Sequence, residues 1–208
     1  MQSGILTQQR ALLTQERTLD TQRRPLHARG AARGPQQLAA EVRRLAARPA
    51  DWLSRVRLNP DGRWYERIHL DDSWEAWLIS WLPGQATGFH DHGGSAGAFA
   101  VVWGSLDECV AGSAGGPVVT RAEAGTPSAA RAFGPRYVHD VRNSSAATVA
   151  VSVHAYSPPL ASMTRYDLTP GGLVASGTEG AEIWLPPGRR VRGPSRRSSR
   201  PRGPGCCA

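Results

Sequence analysis

The chain has 208 residues, room for one domain with a sizeable core plus tails. It has no lysine and 25 arginines, but residues 1–34 hold six Arg against two acids and residues 188–208 seven Arg and no acid; the twelve Arg and fifteen acids of residues 35–187 leave that region at −3. The basicity belongs to the ends, which argues against a nucleic-acid partner for the central domain, and no apolar run approaches the roughly 18 residues a membrane-spanning helix needs.

Residues 1–34 are rich in Gln, Thr and Arg with few large apolar side chains, and are expected to be a disordered extension without the compact apolar stretch of a signal peptide. From Pro35, Leu38, Val42, Leu45 and Ala46 recur at helical spacing, and Trp52, Leu53 and Val56 follow Pro49, so one or two amphipathic helices are expected. Asn59-Pro60-Asp61-Gly62 has turn chemistry. Beyond it the period switches to two. Strands are expected at Trp64–Leu70, Glu75–Leu82, Thr87–His92, Ala98–Cys109, Pro117–Glu123, Ala129–Phe133, Tyr137–Arg142, Thr148–Tyr156, Met163–Leu168 and Glu182–Leu185. Short strands punctuated by Gly, Pro, Asn and Asp point to an antiparallel barrel or sandwich over residues 35–187. From Pro186 onward Pro, Gly, Ser and Arg dominate, and residues 188–208 are expected to be a basic flexible tail. Three cysteines, of which Cys206 and Cys207 are adjacent in that tail, make no disulfide framework and suit a reducing cytoplasm.

Residues 84–104 read GQATGFHDHGGSAGAFAVVWG. In an extended strand His90 and His92 face one way and Asp91 the other, so two neutral imidazoles lie together as half of a metal site. The spacing from Gly84 through the His-x-His pair to Gly104 matches the first motif of the cupin barrels, with Gly97 where that motif usually has Glu. His139, four residues before Asn143, fits the ending of the second cupin motif, although the preceding Gly134-Pro135-Arg136 departs from its usual Pro-x-Gly. Along Thr148–Tyr156, Val149, Val151 and Val153 share one face while Ser152, His154 and Tyr156 share the other. A row of hydrogen-bonding groups either faces solvent or lines a site in which the groups satisfy one another or a ligand.

Tyr65-x-Arg67, His90-Asp91-His92, His139 and the run Ser152-Val153-His154-Ala155-Tyr156-Ser157-Pro158-Pro159 together resemble the cysteine dioxygenase family of small cupins, over about residues 36–185. The resemblance implies a mainly β cupin jelly roll preceded by short helices. It also implies Fe(II) held by His90, His92 and His139, and addition of both atoms of O2 to L-cysteine to give cysteine sulfinic acid, a step of cysteine catabolism. It makes Arg67 the clamp on the substrate carboxylate, with Tyr65 beside it. Tyr156 becomes the phenol near the reacting thiol and O2, oriented by His154 and Ser152, and the Ser157–Pro158 bond a frequent cis peptide. Some family members crosslink a cysteine at the position of Gly97 to the tyrosine; this chain resembles the bacterial members that do not. A cytoplasmic monomer acting on a small-molecule thiol and O2 is expected, with no membrane partner.

The chemistry of the residues agrees with this. Three neutral imidazoles leave the full +2 charge on a metal, which draws a thiolate to it, and they leave positions open. Zinc suits three histidines geometrically but cannot pass electrons to O2. An arginine fork pairs with a carboxylate through two hydrogen bonds. Two alternatives remain at this level: dioxygenation of 3-mercaptopropionate or another small thiol acid, or a non-catalytic barrel that binds a metal or small ligand.

Overall fold

In the computed structural model, residues 31–110, 117–126 and 129–180 are described. Among them the two-residue alternation becomes eleven strands: β1 Trp64–Leu70, β2 Glu75–Trp81, β3 Phe89–His90, β4 Ala96–Trp103, β5 Ser105–Val110, β6 Val118–Glu123, β7 Ala130–Phe133, β8 His139–Arg142, β9 Ala150–Ser157, β10 Ser162–Thr169 and β11 Gly172–Gly180. They form two antiparallel sheets, ordered β1-β2-β9-β4-β7 and β11-β10-β3-β8-β5-β6. This is the mainly β cupin jelly roll with short N-terminal helices. The expected strand Glu182–Leu185, residues 1–30 of the extension expected over 1–34, and the tail over residues 188–208 lie outside the described residues; within that extension the Arg33 backbone N–H donates to Ser157 Oγ at 2.8 Å.

Helix α1, Pro35–Ala46, starts at a proline whose missing N–H costs nothing in the first turn, and the Gln37 carboxamide accepts from the Gly34 N–H at 2.8 Å. Arg43 and Arg44 in its last turn suit the negative end of the helix dipole. Its buried stripe of Leu38, Ala39 and Val42 joins Ala98, Ala100, Val153 and Ala155 in one apolar cluster. Burying Leu38 and Val42 contributes about 1.5–3 kcal/mol each. Two single 3-10 turns, Pro49–Asp51 and Leu53–Arg55, replace the second helix, and Trp52 between them donates its indole N–H to the Leu45 carbonyl at 3.0 Å. No helix among the described residues is long and apolar enough to cross a membrane.

Every residue of β2 and β9 is buried, because α1 covers one face of the first sheet and the second sheet covers the other. Between the sheets lie Trp77, Ile79, Trp81, Phe99, Val101, Leu106, Phe133 and Val141.

Three strand expectations change. The continuous run Ala98–Cys109 breaks at Gly104, where φ is +68° and a Cβ would sit 2.5 Å from the Val149 carbonyl oxygen; there the chain leaves one sheet for the other. The expected Thr87–His92 strand shrinks to the two residues of β3. Strand β11 was not anticipated, because GLVASGTEG has little β-former alternation; it is a mostly exposed edge strand held by its hairpin pairing to β10.

Candidate active site

His90 ends β3 and His139 opens β8, and the two are direct partners in the ladder. His92 lies past the end of β3, but the chain stays extended beside β10 through Asp91, and alternation carries His92 to the side of His90. A glycine turn follows it: Gly93 and Gly94 have φ of +57° and +90°, and the Ser95 N–H donates to the His92 carbonyl at 3.0 Å. A Cβ at Gly93 would meet the Ser162 carbonyl at 2.5 Å. Asp91 does point away, as alternation requires. Its carboxylate accepts from the backbone N–H of Thr164 at 2.9 Å and the Tyr166 hydroxyl at 2.9 Å, pinning the loop to β10.

The ligand atoms of His90, His92 and His139 lie within 4.8 Å of one another, and all three rings are buried. The His90 Nδ1 donates to the Gly88 carbonyl at 2.9 Å, and the His139 Nδ1 lies 2.7 Å from a carboxylate oxygen of Glu108, so each leaves its Nε2 for another partner. Both ring nitrogens of His92 are buried with no hydrogen-bond partner. An orphaned imidazole beside two others that converge is the donor set a divalent transition metal accepts. Burial, and then the neighbouring imidazoles, pushes His92 down to about 3 and His90 well below its ordinary value, so the rings are neutral ligands near pH 7.

The place a fourth ligand would take is filled by an aromatic ring. Gly97 pairs with both Tyr156 and Phe133 across the sheet, and a Cβ on it would lie 2.3 Å from the Phe133 ring. Phe133 stacks on His92 at 4.7 Å between centroids, and Tyr156 stacks on the same histidine at 5.2 Å. Glycine at 97 is therefore required by close approach.

The polar row of β9 faces the space between the sheets. The Trp81 indole N–H donates to Ser152 Oγ at 2.9 Å, Ser152 Oγ lies 2.8 Å from His154 Nε2, and His154 Nδ1 lies 3.3 Å from the Tyr156 hydroxyl. Indole can only donate, so Ser152 Oγ accepts at that contact, while the direction of the two contacts of His154 follows the imidazole tautomer. With the proton on Nδ1, Ser152 donates to His154 and His154 to the phenol oxygen, which frees the phenol hydrogen; with it on Nε2, the phenol donates to His154 and the Ser152 hydrogen is free. Burial, with the nearby imidazoles of His139 and His92 and the charge of Arg63, holds His154 well below its usual value and hence neutral; burial raises Tyr156 and keeps its proton on. The Ser157–Pro158 bond is cis.

A cavity of about 200 Å³ opens onto this centre, lined in part by His90, His139, His154 and Tyr156. Tyr65 lines it as well, edge-on to Trp77 at 6.0 Å. Arg67 does not: its guanidinium lies at the rim over the Trp77 ring, 3.4 Å from the buried carboxylate of Glu75. The arginine inside is Arg63, two residues before Tyr65 and on the same alternation. Its guanidinium lies 5.2 Å above the Trp81 ring and has no hydrogen-bond or ion-pair partner among the described residues. Burial and the charge of Arg165 lower its pKa. Arg165 also lines the cavity, but it is held by Glu179 at 3.1 Å and by the Thr87 carbonyl at 3.0 Å. Sequence reading missed Arg63 and Glu108: parity with Tyr65 and with Leu106 gives the side each is on, but not what it meets there.

The family model "Cysteine dioxygenase type I" matches residues 32–169. No curated protein matches. Among solved structures, the protein TT1209 of Thermus thermophilus aligns with 26% identity over 51% of this chain and 94% of its own, at a TM-score of 0.42. A protein with a double-stranded β-helix domain from Klebsiella pneumoniae aligns with 19% identity over 50% of this chain and 78% of its own, at 0.43. A cupin protein from Desulfovibrio desulfuricans aligns with 19% identity over 50% and 91%, at 0.42. The family match spans more than half of the chain and takes in the three histidines, the β9 row and all of the cavity lining but Glu179, so the protein belongs to the cysteine dioxygenase type I family and is a metal-dependent thiol dioxygenase.

Proposed function

We propose that the protein is an Fe(II) enzyme that adds both atoms of O2 to the sulfur of L-cysteine, giving cysteine sulfinic acid, and that it works as a cytoplasmic monomer. The working unit is residues 35–187, with the segments on either side as appendages. The observation that carries this is the partnerless Arg63 guanidinium in the same cavity as His90 and His139. An unpaired, half-buried cation over an indole suits a substrate carboxylate, and a small thiol acid held there keeps its sulfur beside the histidine cluster. Arg63 takes the clamping role that the sequence motif suggested for Arg67, while Arg67 neutralises Glu75. Glu179, tied to Arg165, adds a carboxylate to the cavity wall, which suits a substrate that carries an ammonium as well as an acid.

His90, His92 and His139 would hold the iron, which supplies the redox coupling between thiolate and O2 that no side chain can. The thiol loses its proton and its sulfur gains two oxygens, so the four electrons that reduce O2 come from sulfur and no further reductant is consumed. Tyr156 donates its hydrogen toward the reacting groups in the tautomer in which His154 accepts from Ser152 and carries its proton on Nδ1. Tyr65 and Trp77 line the cavity with aromatic surface.

O2 uptake and sulfinate formation with iron-loaded protein, measured over cysteine, 3-mercaptopropionate and cysteamine, test the reading. Cysteine is expected to be turned over with the highest kcat/KM and cysteamine, which lacks the carboxylate, poorly. A preference for 3-mercaptopropionate would overturn the substrate assignment, and no sulfinate from any thiol would overturn the reaction.

A further inference from the structure

Glu108 is a carboxylate that the reaction as described does not use. It lies on β5, is 1% exposed, and sits diagonally across the ladder from His139, whose direct partner is Val110. Its neighbours are all donors: His139 Nδ1 at 2.7 Å, the Tyr137 hydroxyl at 3.2 Å and Arg131 Nε at 3.6 Å. Burying a carboxylate is costly unless positive charge or strong donors meet it. Here the cation is the most distant of the three contacts, and the shortest is a ring whose far side faces the metal site. The three histidines are not equivalent in this respect: His90 has a backbone carbonyl behind it, His139 a carboxylate, and His92 has no partner among the described residues.

We infer that Glu108 is a positioning residue for the metal, acting through His139: it fixes the ring with Nδ1 protonated and Nε2 toward the site, and its negative charge passes through the imidazole to the metal. The carboxylate that Gly97 omits from among the ligands is thereby supplied one hydrogen bond further out. A site ringed by neutral imidazoles alone would favour the ferrous state strongly; a carboxylate behind one of them stabilises the ferric state that oxygen chemistry visits. The inference rests on His90, His92 and His139 being the metal site.

The test uses Glu108→Gln, in which the carboxamide oxygen can still accept from His139 and only the charge is lost. Fe(II) affinity is measured anaerobically by chelator competition, the Fe(III)/Fe(II) midpoint by redox titration, and folding by the melting of the metal-free protein. The expected result is about ten- to hundredfold weaker Fe(II) binding and a higher midpoint, with melting close to wild type. Arg131→Gln removes positive charge from the other side of the carboxylate without touching His139, and is expected to lower the midpoint. Wild-type affinity and midpoint in Glu108→Gln would overturn the inference, as would a shift of both variants in the same direction. If Glu108→Gln does not fold, Arg131→Gln decides alone, and an unchanged or raised midpoint overturns it. Thiol oxidation is not among the readouts. A protein that shows these charge effects but oxidises no thiol sinks the proposed reaction and leaves Glu108 in its role, whereas an active enzyme indifferent to Glu108→Gln sinks only the latter.

Discussion

The two faces of β9 do different work with the same backbone. On one, Val151, Val153 and Ala155 pack under α1 by contact alone, and any side chains of the right shape would serve. On the other, Ser152, His154 and Tyr156 form a directed row whose value depends on which atom carries each hydrogen. The first face sets how stable the barrel is and the second what it can do. Changes to one should therefore leave the other's readout nearly untouched.

The largest effect is expected at the centre the polar face looks onto. His139→Ala removes one of the three converging imidazoles and strands Glu108 as a buried charge without its nearest donor. Iron retention after desalting should fall from about one equivalent to background, and a variant that still held a full equivalent would remove His139 from the site. Next comes the choice between arginines. Arg63→Gln should lower kcat/KM for cysteine about a hundredfold, the ~2.7 kcal/mol expected when a bidentate charged contact is lost, while hardly changing the rate with cysteamine. Arg67→Gln should instead lower the melting temperature by leaving Glu75 buried without a counter-charge. If the two variants exchanged phenotypes, the clamp would return to Arg67.

A third test concerns the glycine beside the phenol. Gly97→Cys puts a Cβ within 2.3 Å of the Phe133 ring and 3.1 Å of the Tyr156 ring. It should therefore cost about 1–3 kcal/mol by overpacking and form no crosslink to Tyr156. Adding Phe133→Leu should restore much of the lost stability. Urea unfolding of the single and double variants measures both, and an intact mass showing the loss of two hydrogens in the single variant would contradict the clash. A matched pair then contrasts the faces directly. Tyr156→Phe should slow turnover about tenfold with unchanged unfolding, whereas Val153→Ala should cost about 2 kcal/mol in stability with unchanged turnover per folded molecule.

The outline of both faces was legible in the sequence, because period-two alternation assigns Ser152, His154 and Tyr156 to one side whatever that side meets. What the other side meets depends on α1, more than a hundred residues earlier in the chain, and alternation alone left the polar row as able to face solvent as a cavity. The histidines were found through spacing, and the alternation that puts His90 and His92 on one side and Asp91 on the other carries past the end of β3. Arg63, just before β1, and Arg67 on it have the same parity. Which of them enters the cavity depends on the register shift between Arg67 and His69 and on the pull of Glu75 from the neighbouring strand, both long-range pairings invisible to local pattern. Glu108 and Phe133 were missed for the same reason, since their partners arrive from other strands.

The smallest expected effect sharpens the comparison from the side of pH. His154 is held neutral because burial and the positive surroundings, with Arg63 as the fixed charge and His139, His92 and the protonated Tyr156 as its other titratable neighbours, oppose an added proton. Its pKa in the folded protein is thus below that of the unfolded chain, about 6.5. Above that value neither state binds the proton, and the stability is intact. As pH falls below it the unfolded chain takes up a proton that the folded protein refuses, so stability is lost toward acid. His154→Gln removes that uptake, and the difference in unfolding free energy between variant and wild type, followed downward from about pH 7.5, should move in the variant's favour as the pH drops. The same difference measured for Val153→Ala should stay flat, because the apolar face carries nothing to titrate. A flat difference for His154→Gln as well would mean that the histidine is reached by water, and that the row it belongs to is less enclosed than the hydrogen bonds from Trp81 to Tyr156 require.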